Sequence, residues 1–140
     1  MEPIIYEVLG IPTAKGRARS VRRGKFIAHV TPEKTRNAEQ SFLAQALPYK
    51  PAIPFEGALK VSLAFIMPIP TSKSKKWKGE AMAGSVLPTK KPDIDNLAKL
   101  VLDSLNGVFW LDDKNVVELL CSKRYGAIPM TVVTIETVDK

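Results

Sequence analysis

The run "ALKVSLAFIMP" (Ala58 to Pro68) constrains the fold most, because Leu59, Val61, Leu63 and Phe65 alternate with Lys60, Ser62 and Ala64. Successive side chains on a strand point to opposite faces, so this period of two specifies a half-buried β-strand with one packed face. A strand needs partners, and three other segments offer them. "IIYEVLG", ending at Gly10, is rich in β-branched and aromatic residues and stops at a Gly-Ile-Pro break. "VVELLCSKRYG" (Val116 to Gly126) and "MTVVTIETV" (Met130 to Val138) are separated by Ala-Ile-Pro, which predicts an antiparallel pair.

Helical spacing appears twice. Thr31 offers an N-cap, Pro32 suits the first helical position and Glu33 the first turn, while Ala38, Phe42, Leu43, Ala46 and Leu47 share a face, so a helix is expected over Pro32 to Leu47. Leu97, Leu100, Val101, Ser104 and Leu105 predict a second helix from Asp95 to Leu105, stopped by Asn106-Gly107. The segment after the first strand reads as a basic loop and "PYKPAIPFEG" as a proline-rich connection. "IPTSKSKKWKGEAMAGSVLPTK" reads as a long basic loop with room for a short helical turn. The order strand, helix, strand, helix, strand, strand favours an α+β fold: one domain over residues 1–140, a mixed β-sheet with helices mostly on one face.

A chain of 140 residues with 45% apolar content can bury a core without staples. Cys121 is the single cysteine and His29 the single histidine, so neither an internal disulfide nor a Cys/His zinc site is available. The amino terminus has neither the basic start nor the sustained apolar run of a signal peptide, and "LAFIMPIP" is too short to span a bilayer. An intracellular, reducing compartment and no membrane partner are therefore expected.

The net charge of +7 is clustered. Lys15, Arg17, Arg19, Arg22, Arg23 and Lys25 form one block without an acid, and Lys73, Lys75, Lys76 and Lys78 form another. One such block alone reads as a solvated loop. Two in a small domain, one carrying Trp77 to stack on a base or sugar, favour a nucleic-acid partner, because phosphate neutralisation releases counterions.

Within this basic chain, "KPDIDNLAKLVLDSLNGVFWLDDKN" (Lys91 to Asn115) holds five of the fourteen acids. Asp93 and Asp95 flank Ile94 where an extended segment enters a helix. Projecting together, they would repel unless a cation lay between them, and all-oxygen ligands suit Mg²⁺ or Mn²⁺. Alternatively Asp93 caps the helix and Asp95 sits in its first turn, which from these two residues alone is the favoured reading. Asp112 and Asp113 read alone as a turn. If Asn106-Gly107 reverses the chain and "VFWLDD" runs back along the helix, Asp113 approaches Asp93 and Asp95. Lys99, one turn after Asp95 and one before Asp103, serves either an i,i+4 ion pair or a phosphate beside a metal. His29 and Cys121 offer less, as a packing or surface residue and an inert buried thiol.

The run Lys91 to Asp113 resembles the RusA family of Holliday junction resolvases. The family pattern Lys-Pro-Asp-x-Asp-Asn-Leu-x-Lys, then an Asp and a Leu-Asn, then Asp-Asp, is met by Lys91, Pro92, Asp93, Asp95, Asn96, Leu97, Lys99, Asp103, Leu105, Asn106, Asp112 and Asp113. "GIPTAKGRARSVRRGKFIAHVTPEKTRNAE" resembles the family's basic Lys-Gly-Arg-x-Arg loop and Thr-Pro helix entry, with Ala18 where a proline is common. The resemblance implies a homodimeric, Mg²⁺-dependent endonuclease that cuts branched DNA, namely four-way junctions, by paired symmetric incisions. It implies Asp93, Asp95 and Asp113 as catalytic metal ligands, Asp112 as a candidate fourth, and Lys99 as the essential lysine, with Asp103 positioning Lys99. It also implies a bacterial cytoplasmic setting, often phage- or prophage-encoded. The rival from another class is a non-catalytic basic DNA-binding module whose aspartates only cap helices and turns.

Overall fold

The computed structural model describes residues 2–16 and 19–138, with the side chains of residues 19, 21, 23 and 28–30 outside that description. In chain order the elements are β1 (Ile4–Leu9), β2 (Arg19–Arg23), β3 (Phe26–Val30), α1 (Glu33–Ala46), β4 (Leu59–Pro68), α2 (Lys75–Met82), α3 (Ile94–Leu105), β5 (Val116–Gly126) and β6 (Met130–Thr137). Four strands form one mixed sheet in the order β1-β6-β4-β5, in which β4 runs antiparallel to β6 and parallel to β5.

The alternation in β4 sets the layers. Leu59, Val61, Leu63 and Phe65 are buried and meet Val133 and Ile135 of β6, Leu97, Val101 and Leu105 of α3, and Phe42 and Ala46 of α1 in one core. Burying a large aliphatic or aromatic side chain contributes about 1.5–3 kcal/mol, so this cluster dominates the fold's stability. Shorter helix α2 leans on the outer strand β5, where Trp77 meets Tyr125 edge-on at 5.4 Å between ring centroids. The α+β expectation, a mixed sheet with its helices gathered on one face, matches this architecture.

Three local expectations need correcting. The tail strands do not pair with each other, because β4 lies between them. The connection between β5 and β6 arches over the end of β4, with Gly126 beside Pro68 and Met130 beside Ile66. Two strand spacings come to roughly 9.6 Å, within reach of four residue steps at about 3.3 Å each. β6 takes the inner place because Val133 and Ile135 are fully buried, whereas Val117, Leu119 and Leu120 of β5 stay exposed at the sheet's edge. The basic segment after β1 is not all loop, since β2 and β3 form an antiparallel hairpin turning at Gly24, whose φ of 62° suits glycine. The second basic segment contains α2, whose N-cap Ser74 hydroxyl accepts the N–H of Trp77 at 3.2 Å.

Candidate active site

Helix α3 buries Leu97, Ala98, Leu100, Val101, Ser104 and Leu105 and leaves Asp93, Asp95 and Lys99 exposed at its head. Asp93 is the N-cap residue with extended backbone, yet its side chain makes no capping hydrogen bond. Asp95 lies in the first turn. Among the described residues neither carboxylate has a hydrogen-bond or ion-pair partner, and Lys99 pairs with neither Asp95 nor Asp103. The helix's positive pole offsets part of the repulsion between two neighbouring anions. Two unpartnered carboxylates offer oxygen donors only, which fit a hard divalent cation of the Mg²⁺ or Mn²⁺ kind.

The chain entering α3 is held from two sides. From β5, the Lys123 ammonium donates to the carbonyl oxygens of Lys90 at 3.0 Å and Pro92 at 2.9 Å, flanking the cis Lys91-Pro92 bond. From the segment after β1, the Lys15 amide donates to Asn96 O at 2.9 Å. The Lys15 ammonium lies 3.1 Å from both Glu39 Oε2 on α1 and Asp103 Oδ2 on α3. Burial alone would pull that ammonium's pKa down, but its hydrogen bonds to Asp103 and Glu39 outweigh burial and leave it raised. Lys15, expected in the DNA grip, is thus engaged in stapling the two helices, and Asp103 holds Lys15 rather than Lys99. The next residue of that motif, Gly16, donates its amide to Thr35 Oγ1 at 3.0 Å, and a Cβ there would meet the same oxygen at 2.6 Å.

Asp113 lies elsewhere. The segment after α3 does not run back along the helix but closes on its C-terminal end. Val108 and Phe109 donate to Leu105 O at 3.1 and 3.0 Å, Gly107 donates to Trp110 O at 2.8 Å, and Trp110 bridges to both Asn106 and Phe55. Trp110 is fully buried, and its indole Nε1 donates to Asp113 Oδ1 at 2.9 Å, which ties the carboxylate to that end. Asp112 and Asn115 cap one another around a short 3-10 turn, and the Asn115 amide also donates to Gly57 O at 3.3 Å. The strand that returns along α3 is β5. Ten helical residues follow Asp95 before the helix ends, roughly 15 Å at 1.5 Å per residue. Among the described residues no three Asp, Glu, His or Cys side chains gather around a metal position. The expected approach of Asp113 to Asp93 and Asp95 within one chain is therefore corrected.

Of the remaining basic residues, Arg22, Lys25, Lys75 and Lys76 are exposed and Lys78 is half-buried. The Lys73 ammonium sits 5.1 Å from the centre of the Trp77 ring, so that indole is already engaged by Lys73 and Tyr125. Arg17 lies outside the described residues, as do the side chains of Arg19, Arg23 and His29. The half-buried thiol of Cys121 has its pKa raised by burial, in keeping with an inert residue. Sequence reasoning missed Lys123, whose partners stand 31 and 33 residues away with no local pattern to reveal them. It also missed the Trp110–Asp113 contact, whose only signal is a Trp-x-x-Asp spacing that acquires meaning once the turn is known.

The model of one protein family, described as "Endodeoxyribonuclease RusA", matches residues 10–136. A protein of Bacillus subtilis (strain 168), named "Uncharacterized protein YqaN", is 37% identical over 143 residues that cover 99% of each chain.

Proposed function

The chain belongs to the RusA endodeoxyribonuclease family, and from that premise we propose that it resolves four-way DNA junctions as a homodimeric, divalent-metal-dependent endonuclease. The observation that carries the reading is the head of α3, where Asp93 and Asp95 stand exposed and unpartnered with Lys99 free one turn on. In a protein of net charge +7, such a pair is left for a cation rather than spent on structure. Asp93 and Asp95 hold Mg²⁺, with Mn²⁺ as a substitute, and Lys99 stabilises charge developing on the attacked phosphate. The chemistry a bound cation supplies is activation of water and neutralisation of the phosphodiester.

Asp113 completes the site from a second copy of the chain. Within one chain it is tied to Trp110 at the opposite end of α3, so a site containing all three acids takes Asp93 and Asp95 from one protomer and Asp113 from its partner. Two-fold symmetry then makes two equivalent sites, suited to paired incisions in a symmetric junction. Asp112, held in its own turn, is left outside this ligand set. Arg22, Lys25, Lys75, Lys76 and Lys78 hold the DNA arms, joined by Arg17, Arg19 and Arg23. No helix among the described residues is long and apolar enough to cross a membrane, in keeping with work in the bacterial cytoplasm on DNA that includes phage or prophage genomes.

The test is a synthetic four-way junction incubated with purified protein and Mg²⁺. Paired symmetric nicks are expected, and an Asp95→Asn protein should bind the junction without cutting it. Absence of paired nicks, or undiminished cutting by Asp95→Asn, refutes the proposal. The separation of Asp113 from Asp93 and Asp95 favours, as a second reading, a DNA-binding module without catalysis, which predicts salt-sensitive binding and no cleavage with any metal.

A further inference from the structure

We infer that Lys123 is a positioning residue for the acidic head of α3, acting through the backbone that delivers Asp93; the inference rests on the reading of Asp93 as a metal ligand. Leu87 to Pro92 form the approach to α3, and among the described residues this stretch makes no backbone-to-backbone hydrogen bond. Pro88 and Pro92 have no N–H to give, so the stretch cannot anchor itself as a turn or strand normally does. Its hydrogen-bonded anchor is the ammonium of Lys123, half-buried on the edge strand β5, which spends two of its three donors on Lys90 O and Pro92 O.

The second bond matters most. The Pro92 carbonyl shares a rigid peptide plane with the nitrogen and Cα of Asp93, so fixing that oxygen restricts the direction in which the Asp93 side chain leaves the backbone. Asp93 has no capping bond of its own to do this. On the helix side the Asp93 carbonyl accepts the Leu97 N–H at 3.1 Å, so on the entry side the aim of the carboxylate depends on this one charge-assisted contact and is sensitive to losing it, as with outer-shell partners of metal ligands generally. Lys123 itself acts through the backbone and needs no contact with substrate or metal.

The experiment uses the full chain as wild type, Lys123→Met and Lys123→Arg, each checked for folding by circular dichroism and thermal melting. Lys123→Gln takes the place of Lys123→Met should the latter not fold. Three quantities are read: Mn²⁺ affinity by electron paramagnetic resonance of the free ion, the Mg²⁺ concentration at half-maximal nicking, and junction binding without metal. Lys123→Met should weaken Mn²⁺ binding by about 10–100-fold and raise the Mg²⁺ requirement in step. Its nicking should recover partly at high Mg²⁺, and its metal-free junction binding should stay at the wild-type value. Lys123→Arg, which keeps the charge and two donors, should recover most of the loss. Unchanged Mn²⁺ affinity in Lys123→Met overturns the inference, and so does a loss of metal-free junction binding as large as the loss of nicking, which would make Lys123 a phosphate contact. Wild type that binds Mn²⁺ but cuts no branched DNA refutes the junction nuclease while leaving the effect of Lys123 on the metal readable. Wild type that binds no Mn²⁺ overturns both.

Discussion

Chains carrying Asp95→Asn and chains carrying Asp113→Asn should each be inactive alone and regain activity when paired in one dimer. The reason is distance. Carboxylates sharing a small divalent cation sit about 2.0–2.1 Å from it and so within about 4 Å of one another. In one chain the ten residues of α3 that follow Asp95 separate it from the turn that holds Asp113, a length of about 15 Å that no side-chain rotation spans. If both acids serve one metal, each dimer contains two composite sites. In a mixed dimer one composite site then carries both substitutions and the other carries neither. Random re-pairing makes about half of the dimers mixed, so about a quarter of the wild-type number of sites should be intact under two-fold symmetry. Co-expression with two affinity tags isolates the mixed dimer, and a junction labelled on all four strands reports its cuts. Single nicks should appear without coordinated resolution, because the second strand meets a dead site. Mixed dimers with no recovered nicking refute the shared site, and full activity of Asp113→Asn alone removes Asp113 from the ligand set.

Lys15→Met removes the cation between Glu39 and Asp103 at a position 20% exposed. It should cost about 1–2 kcal/mol, between the values for surface and buried pairs, read as a lower melting temperature. The raised pKa of that ammonium fixes the pH dependence: its stabilisation is complete below the ordinary lysine value of 10.5 and is lost as pH rises through the higher folded value. At the alkaline end, wild type should therefore lose its stability advantage over Lys15→Met as pH rises through that range. Trp110→Phe keeps most of a fully buried ring but removes the N–H held by Asp113. Nicking should fall about 10–100-fold with the fold intact, whereas unchanged kinetics would show that the indole does not aim that carboxylate. Lys75→Ala with Lys76→Ala, both exposed on α2, should reduce the slope of log affinity against log salt by about 2 in metal-free junction binding. An unchanged slope would place α2 away from the DNA.

What the sequence makes legible is what one element can state by itself. The alternation of Leu59, Val61, Leu63 and Phe65 and the spacing from Leu97 to Leu105 each describe one face, and those faces are buried as their periods require. The β2–β3 hairpin escapes notice because its strand positions carry arginines where apolar residues would show the period, and α2 shows only as room for a short helical turn because eight residues with Trp77 and Ala81 inward hold too little pattern. Pairing is harder still: Ala-Ile-Pro looks like a hairpin loop, and only the core's demand for Val133 and Ile135 reveals that β6 passes over β4 to its far side. The same limit applies to the site. Asp93, Asp95 and Lys99 stand within two turns of one helix, where spacing alone favours a cap and an ion pair and the family motif singles them out, whereas the place of Asp113 depends on where Trp110 is buried and the aim of Asp93 on a lysine 30 residues away. A motif therefore identifies the acids of this site more readily than the contacts that orient them. Substitutions at Trp110 and Lys123, which leave every motif residue in place, test whether those contacts matter as much to the chemistry as the acids themselves.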